Sequence, residues 1–305
     1  MPPPPPAPPA APPSKAMANG IIIIDKPADW TSMDVCAKLR GILKERRVGH
    51  GGTLDPMATG VLPVFVGNAT RAVEFAENSD KTYVAGLRLG LVTNTQDTTG
   101  ETLEERPATA GLRELEAVLP RFTGPIEQVP PMFSAIKIKG QKLYELARAG
   151  KEVERKPRPV TIHALEVLEQ TGEADYRLLV RCSKGTYVRT LCHDIGAALG
   201  CGGCMSSLRR TEAAGFTIEQ AVTIEQVQAQ GEALLLPTDR FFAQYPAFQL
   251  TGEHLERLCR NGNPLPARTA APGTYRVYAP DGTFLCLSRW ERGRLVSVKN
   301  FFGGK

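Results

Sequence analysis

The sequence predicts an α+β protein: a mixed, largely antiparallel central sheet flanked by helices, followed by a small β-rich C-terminal unit. Three observations carry this expectation. Strand-like and helix-like segments alternate irregularly, without the repeated strand–helix–strand period of a doubly wound sheet. Of the 305 residues, 42% are hydrophobic and 23% charged, the balance of a folded chain and not of a disordered or fibrous one. Around 237–246 the pattern changes, and short strands and turns follow. The expected division is a disordered Pro/Ala-rich tail over 1–19, a large domain over 20–240 and a small one over 247–305.

Each element has a local reason. The tail has no periodic apolar pattern with which to offset chain entropy. Ile21-Ile22-Ile23-Ile24 opens a strand over 21–25. Thr31 with Asp34 three residues on is a capping-box pattern, and Met33, Cys36, Leu39, Ile42 and Leu43 extend it into a helix over 32–46. A glycine-rich loop over 49–60 leads to an apolar strand at 61–66, after which Asn68 can cap a helix through about Glu77. Residues 81–89 alternate, with Tyr83, Ala85, Leu87 and Leu89 on one side. The pattern then predicts a helix over 111–119, a strand over 134–139, and a helix over 141–148 stopped by Gly150. Strands over 159–168 and 176–182 follow, then a helix over 187–199 ended by Gly200. In the small unit, a helix over 253–260 precedes strands over 275–279 and 284–289, joined by an Asp281-Gly282 hairpin turn. A third strand covers 295–301.

Composition narrows the function classes. No apolar stretch approaches the roughly 18 residues that span a bilayer. The start lacks the apolar region of a secretory signal, so a cytoplasmic location is expected. The seven cysteines are odd in number and scattered, which fits a reduced compartment better than a disulfide scaffold. Net charge is +5, and from Pro246 onward nine Lys/Arg face four acids, so the surplus lies in the C-terminal fifth. A second basic stretch, 137–158, has eight Lys/Arg against three Glu. Two such clusters fit contacts to a phosphate backbone.

The most unusual segment is Gly49-His50-Gly51-Gly52-Thr53-Leu54-Asp55-Pro56-Met57-Ala58-Thr59-Gly60-Val61-Leu62-Pro63. Its glycines permit positive φ or close approach of another molecule. Pro56 drives Asp55 out of helical geometry, so the carboxylate is presented from extended backbone. A phosphate-binding loop is excluded, because no Gly-Lys-[Ser/Thr] follows.

This segment closely resembles the catalytic motif of the TruB family of tRNA pseudouridine synthases. Further blocks agree in the same order: Asp25-Lys26-Pro27 with Thr31-Ser32, Ser79-Asp80-Lys81-Thr82-Tyr83, and Asp97-Thr98-Thr99-Gly100. Pro130-Pro131-Met132-Phe133-Ser134-Ala135-Ile136-Lys137, Tyr144 to Gly150, Cys182 to Leu191 and Leu208-Arg209-Arg210-Thr211 complete the series. The resemblance runs from about residue 20 to 240, and the segment after 246 looks like the small RNA-binding PUA-type domain of such enzymes.

The resemblance implies the pseudouridine synthase fold and conversion of the T-loop uridine at tRNA position 55 into pseudouridine, without metal or redox cofactor. Asp55 matches the essential aspartate, acting as nucleophile or base at the sugar. Tyr83 matches the tyrosine that stacks on the target base and helps remove its C5 proton. Arg189 matches the basic residue paired with the aspartate. His50 matches the histidine that fills the space left by the flipped base. Lys26, Leu208 and Asp97 match positions near the base pocket or its RNA lining. An RNA-gripping insertion over about 125–158 would turn Lys137 and Arg148 toward phosphates. The implied partner is the T arm of tRNA, with no membrane and no protein partner, and a monomer is expected.

Rival readings differ in class. Cys182, Cys192, His193, Cys201 and Cys204 invite a zinc site, but a second well-spaced ligand pair is missing. His50, Asp55 and Ser134 lack the Gly-x-Ser-x-Gly elbow of a hydrolase. A non-catalytic tRNA-binding or folding chaperone would not need Asp55, Tyr83 and Arg189 together.

Overall fold

The computed structural model describes residues 17–303 except Lys139 and Thr269. The expected tail therefore lies mostly outside the described residues. Ala18 is buried and the Asn19 side chain accepts a hydrogen bond from Ala69 N at 3.2 Å, so packing begins just before residue 20.

The chain runs through β1 (Gly20–Lys26), α1 (Ser32–Leu43), β2 (Val48–His50) and β3 (Thr59–Val66). A 3₁₀ turn (Gly67–Ala72) enters α2 (Val73–Glu77), followed by β4 (Lys81–Leu89), β5 (Leu91–Thr93) and β6 (Thr102–Glu105). Then come α3 (Leu112–Val118), β7 (Gly124–Gln128), the small hairpin β8 (Lys137–Ile138) and β9 (Gln141–Lys142), and α4 (Leu143–Arg148). β10 (Arg158–Gln170), β11 (Asp175–Cys182), α5 (Val188–Ala198), β12 (Gly203–Ala213), β13 (Phe216–Thr217) and α6 (Ile224–Gln230) complete the large unit. The small one holds β14 (Ala247–Gln249), α7 (Glu253–Arg260), β15 (Leu265–Pro266), β16 (Thr274–Tyr278), β17 (Phe284–Glu291) and β18 (Arg294–Asn300).

The large sheet has the order β1-β3-β12-β4-β11-β10-β7, with β2 also on β3 and β13 on β12. Every pairing is antiparallel except β3 with β12. The fold is thus the α+β mixed sheet the sequence predicts. β1 takes one edge of β3 along its whole length, from Gly60 to Val66. β2 and β12 must share the other edge: β2 pairs with Val64–Val66 and β12 with Thr59 and Gly60. The glycine-rich loop leaves the sheet at the seam between them.

Three apolar clusters hold this unit. One packs β4, β11 and β12 against α3 and α5. A second packs α1 and α6 on β1 and β3. The third, on the opposite face of β1 and β3, includes Phe216 and Phe242 and takes in Leu287 and Phe301 from the small unit. Phe242 meets Phe301 at 5.4 Å between ring centroids, and Arg71 donates to the Phe302 carbonyl at 3.1 Å. The small sheet, ordered β14-β16-β17-β18-β15, has its own core around Val277, Leu285 and Leu295.

Local expectations hold where local chemistry decides them. Thr31 Oγ1 accepts from Asp34 N at 3.1 Å while Asp34 Oδ2 accepts from Thr31 N at 2.8 Å. Tyr83, Ala85, Leu87 and Leu89 are all buried. Elsewhere the structure differs. α1 ends at Leu43 and not at 46, because Lys44 adopts a left-handed conformation (φ 53°). Met33 lies on the solvent side of α1, and Val35 takes its place in the core. Asn68 caps no helix: it sits within the 3₁₀ turn, and its Oδ1 accepts from Arg47 Nη1 at 2.8 Å. The strand expected over 134–139 contracts to Lys137–Ile138, with Lys139 outside the described residues, and Gln141–Lys142 pairs with it before α4 begins. Residues 124–128 pair with β10 in the main sheet, so they are not part of an insertion. The largest element missed is β12, a central strand whose polar sequence carries no apolar alternation.

Candidate active site

Asp55 sits in the loop between β2 and β3, and hydrogen bonds fix both sides of it. Gly51 N donates to Pro63 O at 2.8 Å, Leu54 N to Ser32 Oγ at 2.9 Å, Asp29 N to Pro56 O at 2.9 Å and Ala58 N to Asp55 O at 3.0 Å. The loop re-enters the sheet at Gly60, where φ is +100° and a Cβ would meet Arg210 O at 2.2 Å, so a side chain cannot be placed there. Beneath the loop, the buried Lys26 ammonium donates to Pro27 O, Trp30 O and Pro56 O at 2.8, 2.6 and 3.0 Å. An ammonium has three N–H donors. All of them go to backbone, so Lys26 acts on the site through the loop. Burial lowers its pKa to about 8.

Arg189 lies in the first turn of α5, whose start is tied to β7 by reciprocal bonds. Tyr187 N donates to Gln128 Oε1 at 2.8 Å, and Gln128 Nε2 to Tyr187 O at 3.1 Å. The guanidinium grips Asp55 with two nitrogens, Nε to Oδ2 at 2.9 Å and Nη2 to Oδ1 at 3.3 Å. Its remaining donors reach Thr95 O at 3.1 Å and Phe133 O at 2.9 Å. The Arg189 side chain is 6% exposed and that of Asp55 36%, so a buried cation steadies a carboxylate that still faces solvent. Asp97 completes the group. Its Oδ1 accepts from Thr95 Oγ1, Thr99 N and Thr99 Oγ1, which leaves Oδ2 turned to Arg189 Nε at 3.7 Å.

Tyr83 and Leu208 share one apolar cluster with Leu54, Ala58 and Val188 beside this ion pair. Register puts Tyr83 opposite Arg210 and Ala85 opposite Leu208. Burial pushes the Tyr83 phenol pKa up, and the nearby Arg210 guanidinium opposes that rise. His50 ends β2. Burial, and then the Arg210 charge, push its imidazole down toward the neutral form, and its buried Nδ1 has no hydrogen-bond partner among the described residues.

Asp55, Arg189 and Asp97 therefore touch. Tyr83 and Leu208 belong to the apolar cluster that also holds Leu54 and Ala58 of the Asp55 loop and Val188 beside Arg189, and His50 and Lys26 belong to the same loop from its start and its underside. Lys137 and Arg148 are not in this group. Both are exposed on the segment carrying β8, β9 and α4, where Arg148 and Lys142 lie over the Tyr144 ring at 5.6 and 5.3 Å. Arg210 was missed as a site residue, although the Leu208-Arg209-Arg210-Thr211 block contains it.

The rival constellations do not assemble. No hydrogen bond joins Ser134 and His50 among the described residues, and Ser134 Oγ is buried without a partner there. Cys182, Cys192, Cys201 and Cys204 are buried, and no three metal-ligating side chains converge among the described residues. Burial lifts the Cys182 and Cys204 thiols to about 11, which favours the thiol over the metal-binding thiolate.

Comparison with known proteins identifies the family and the overall fold. A family model described as the N-terminal domain of TruB family pseudouridylate synthases matches residues 40–188. One described as the C-terminal domain of tRNA pseudouridylate synthase B matches 189–242, which here lies within the large unit. The chain is 46% identical over 288 residues to tRNA pseudouridine synthase B of Pseudomonas fluorescens strain Pf0-1, covering 91% of this chain and 94% of that protein. It is 43% identical over 294 residues to tRNA pseudouridine synthase B of Ralstonia pickettii strain 12J, covering 91% and 92%. Among solved structures, a Cbf5-Nop10-Gar1 complex contains a chain that superposes with TM-score 0.71 at 26% identity, covering 94% of this chain and 86% of that one.

Proposed function

The chain belongs to the TruB family of pseudouridine synthases, and from that membership and the site geometry we propose how it isomerises uridine in tRNA to pseudouridine. The target is the T-loop uridine at tRNA position 55, flipped from its stack at a cost of about a few kcal/mol. The observation that carries the assignment is the two-point Arg189–Asp55 pair, held on a loop that is hydrogen-bonded on both sides.

Asp55 either bonds to C1′ as the C1′–N1 bond breaks, that C–O bond breaking again when C5 attacks, or takes the C2′ proton as C1′–N1 breaks and returns it when C5–C1′ forms. The freed base turns, its C5 bonds to C1′, the C5 proton passes to a base and N1 takes up a proton. Atoms and charge balance: the base that leaves C1′ through N1 returns through C5, so the reaction needs no oxidant and no group leaves the complex. Arg189 orients the carboxylate. Tyr83 and Leu208 bound the base, with the phenol placed to take the C5 proton, and His50 fills the vacated stack. Asp97 helps orient Arg189 by approaching the same Nε that bonds Asp55.

A pure binding role is disfavoured by charge: Arg189 spent on the Asp55 carboxylate is one cation fewer for phosphates, an arrangement that binding alone would not reward. The segment after β7, over 129–158, grips the RNA through Lys137 and Arg148. Residues 247–305 form a PUA-like unit whose exposed Arg257, Arg260, Arg289, Arg292 and Arg294 meet phosphates. No helix among the described residues is long and apolar enough to cross a membrane.

Incubation with an unmodified T-arm hairpin tests this. Pseudouridine should form at the T-loop uridine with the wild type and not with Asp55→Asn, which should still bind. Conversion by Asp55→Asn at a comparable rate would remove the assigned role.

A further inference from the structure

Arg210 is among the largest fully buried side chains, at 1% exposure. A guanidinium keeps its charge, and a buried one is ordinarily matched by a carboxylate. Arg210 has no such match among the described residues. Its Nε donates to Val61 O at 2.7 Å, its Nη2 to Gly52 O at 3.1 Å and its Nη1 to Thr53 O at 3.5 Å. These carbonyls lie on both sides of Asp55 along the chain. Its backbone pairs with Gly60 on β3 and lies opposite Tyr83 on β4.

An unmatched buried charge works against its neighbours. The Arg210 charge disfavours protonation of Lys26 on β1, His50 on β2 and Lys81 on β4. Tyr83 is acted on by Arg210 from β12, by Cys182 from β11 and by Asp55 from the loop. Of these, only Arg210 favours a negative phenol oxygen.

We propose that Arg210 is a positioning residue for the isomerisation: its fork suspends the loop that presents Asp55, and its uncompensated charge balances negative charge on the Tyr83 oxygen. This inference rests on the roles given above to Asp55 and Tyr83. To accept the C5 proton the phenol must first have lost its own. The C5–H electron pair then stays in the ring, and the phenol passes the proton on to solvent. A charge with no carboxylate to answer it is free to balance that phenolate.

The test uses the full-length enzyme with Arg210→Lys and Arg210→Gln, single-turnover conversion of the T-arm hairpin, hairpin affinity, thermal melting and the pH dependence of the rate. Lysine keeps the charge but cannot span three carbonyls. It should bind the hairpin within threefold of wild type, react about tenfold more slowly and keep the wild-type pH profile. Glutamine removes the charge. It should react on the order of a hundredfold more slowly, the scale of one strong charged hydrogen bond, with the rising limb of its profile displaced to higher pH. A rate within twofold of wild type in Arg210→Lys overturns the suspension of the loop, whether or not the glutamine variant folds. An unshifted profile in folded Arg210→Gln, or a loss residing wholly in hairpin affinity, overturns the charge role. Wild type that fails to convert the hairpin would defeat the parent reading instead, so the two failures are distinguishable.

Discussion

Replacing Arg189 by lysine isolates what the guanidinium fork contributes. The charge remains at the start of α5, but one ammonium cannot hold Asp55 Oδ1 and Oδ2 while also reaching Thr95 O and Phe133 O, now at 3.1 and 2.9 Å. One charge-assisted bond to Asp55 survives and the other disappears, about 1.5–3 kcal/mol of orientation. At about 1.4 kcal/mol per decade that is roughly a 10- to 150-fold fall in rate. The two abandoned carbonyls carry a separate stability cost of about 1–3 kcal/mol each. Melting should therefore drop by several degrees, given about 2–4 °C per kcal/mol in a chain of this size. The assay is single-turnover release of tritium from a hairpin labelled at uridine C5, with affinity measured in parallel. Because the carboxylate is the group being oriented, the loss should fall on the rate at saturation and leave affinity within threefold. A variant that melts normally and turns over within twofold of wild type would show that the fork does not orient Asp55.

Other expectations follow from single interactions. Tyr83→Phe keeps the ring and the packing in its apolar cluster, so melting should change by less than 2 °C while turnover collapses; normal turnover would exclude the phenolic oxygen. Reversing Arg289, Arg292 and Arg294 to Glu should weaken tRNA binding and reduce its log–log salt dependence by about one for each phosphate no longer neutralised; an unchanged slope would remove these arginines from the interface. Lys81, like Lys26, is drawn by burial to about 8 from 10.5. Between those values the unfolded chain holds the extra proton, so this contribution to stability rises with pH. Wild type should gain stability relative to Lys81→Met from pH 8 to 10, and parallel curves would refute the buried charge.

What the sequence determined by itself is whatever neighbours along the chain decide. The Thr31–Asp34 box, the alternation of Tyr83 to Leu89 and the turn at Asp281-Gly282 all depend on residues within a few positions of each other. Each appears in the fold as expected. Asp55, Tyr83 and Arg189 were legible through the order of their motifs, since each block keeps its own local signature. Tertiary structure decided the rest, because its causes lie far apart in the chain. β12 reads as polar surface, yet it is central because β1 closes one edge of β3 and the remaining edge needs a partner. Arg210 looks like an exposed cation until three carbonyls more than a hundred residues away take up its donors. In the same way Arg189 joins Asp55, Thr95 and Phe133 only after folding has brought four separate segments together.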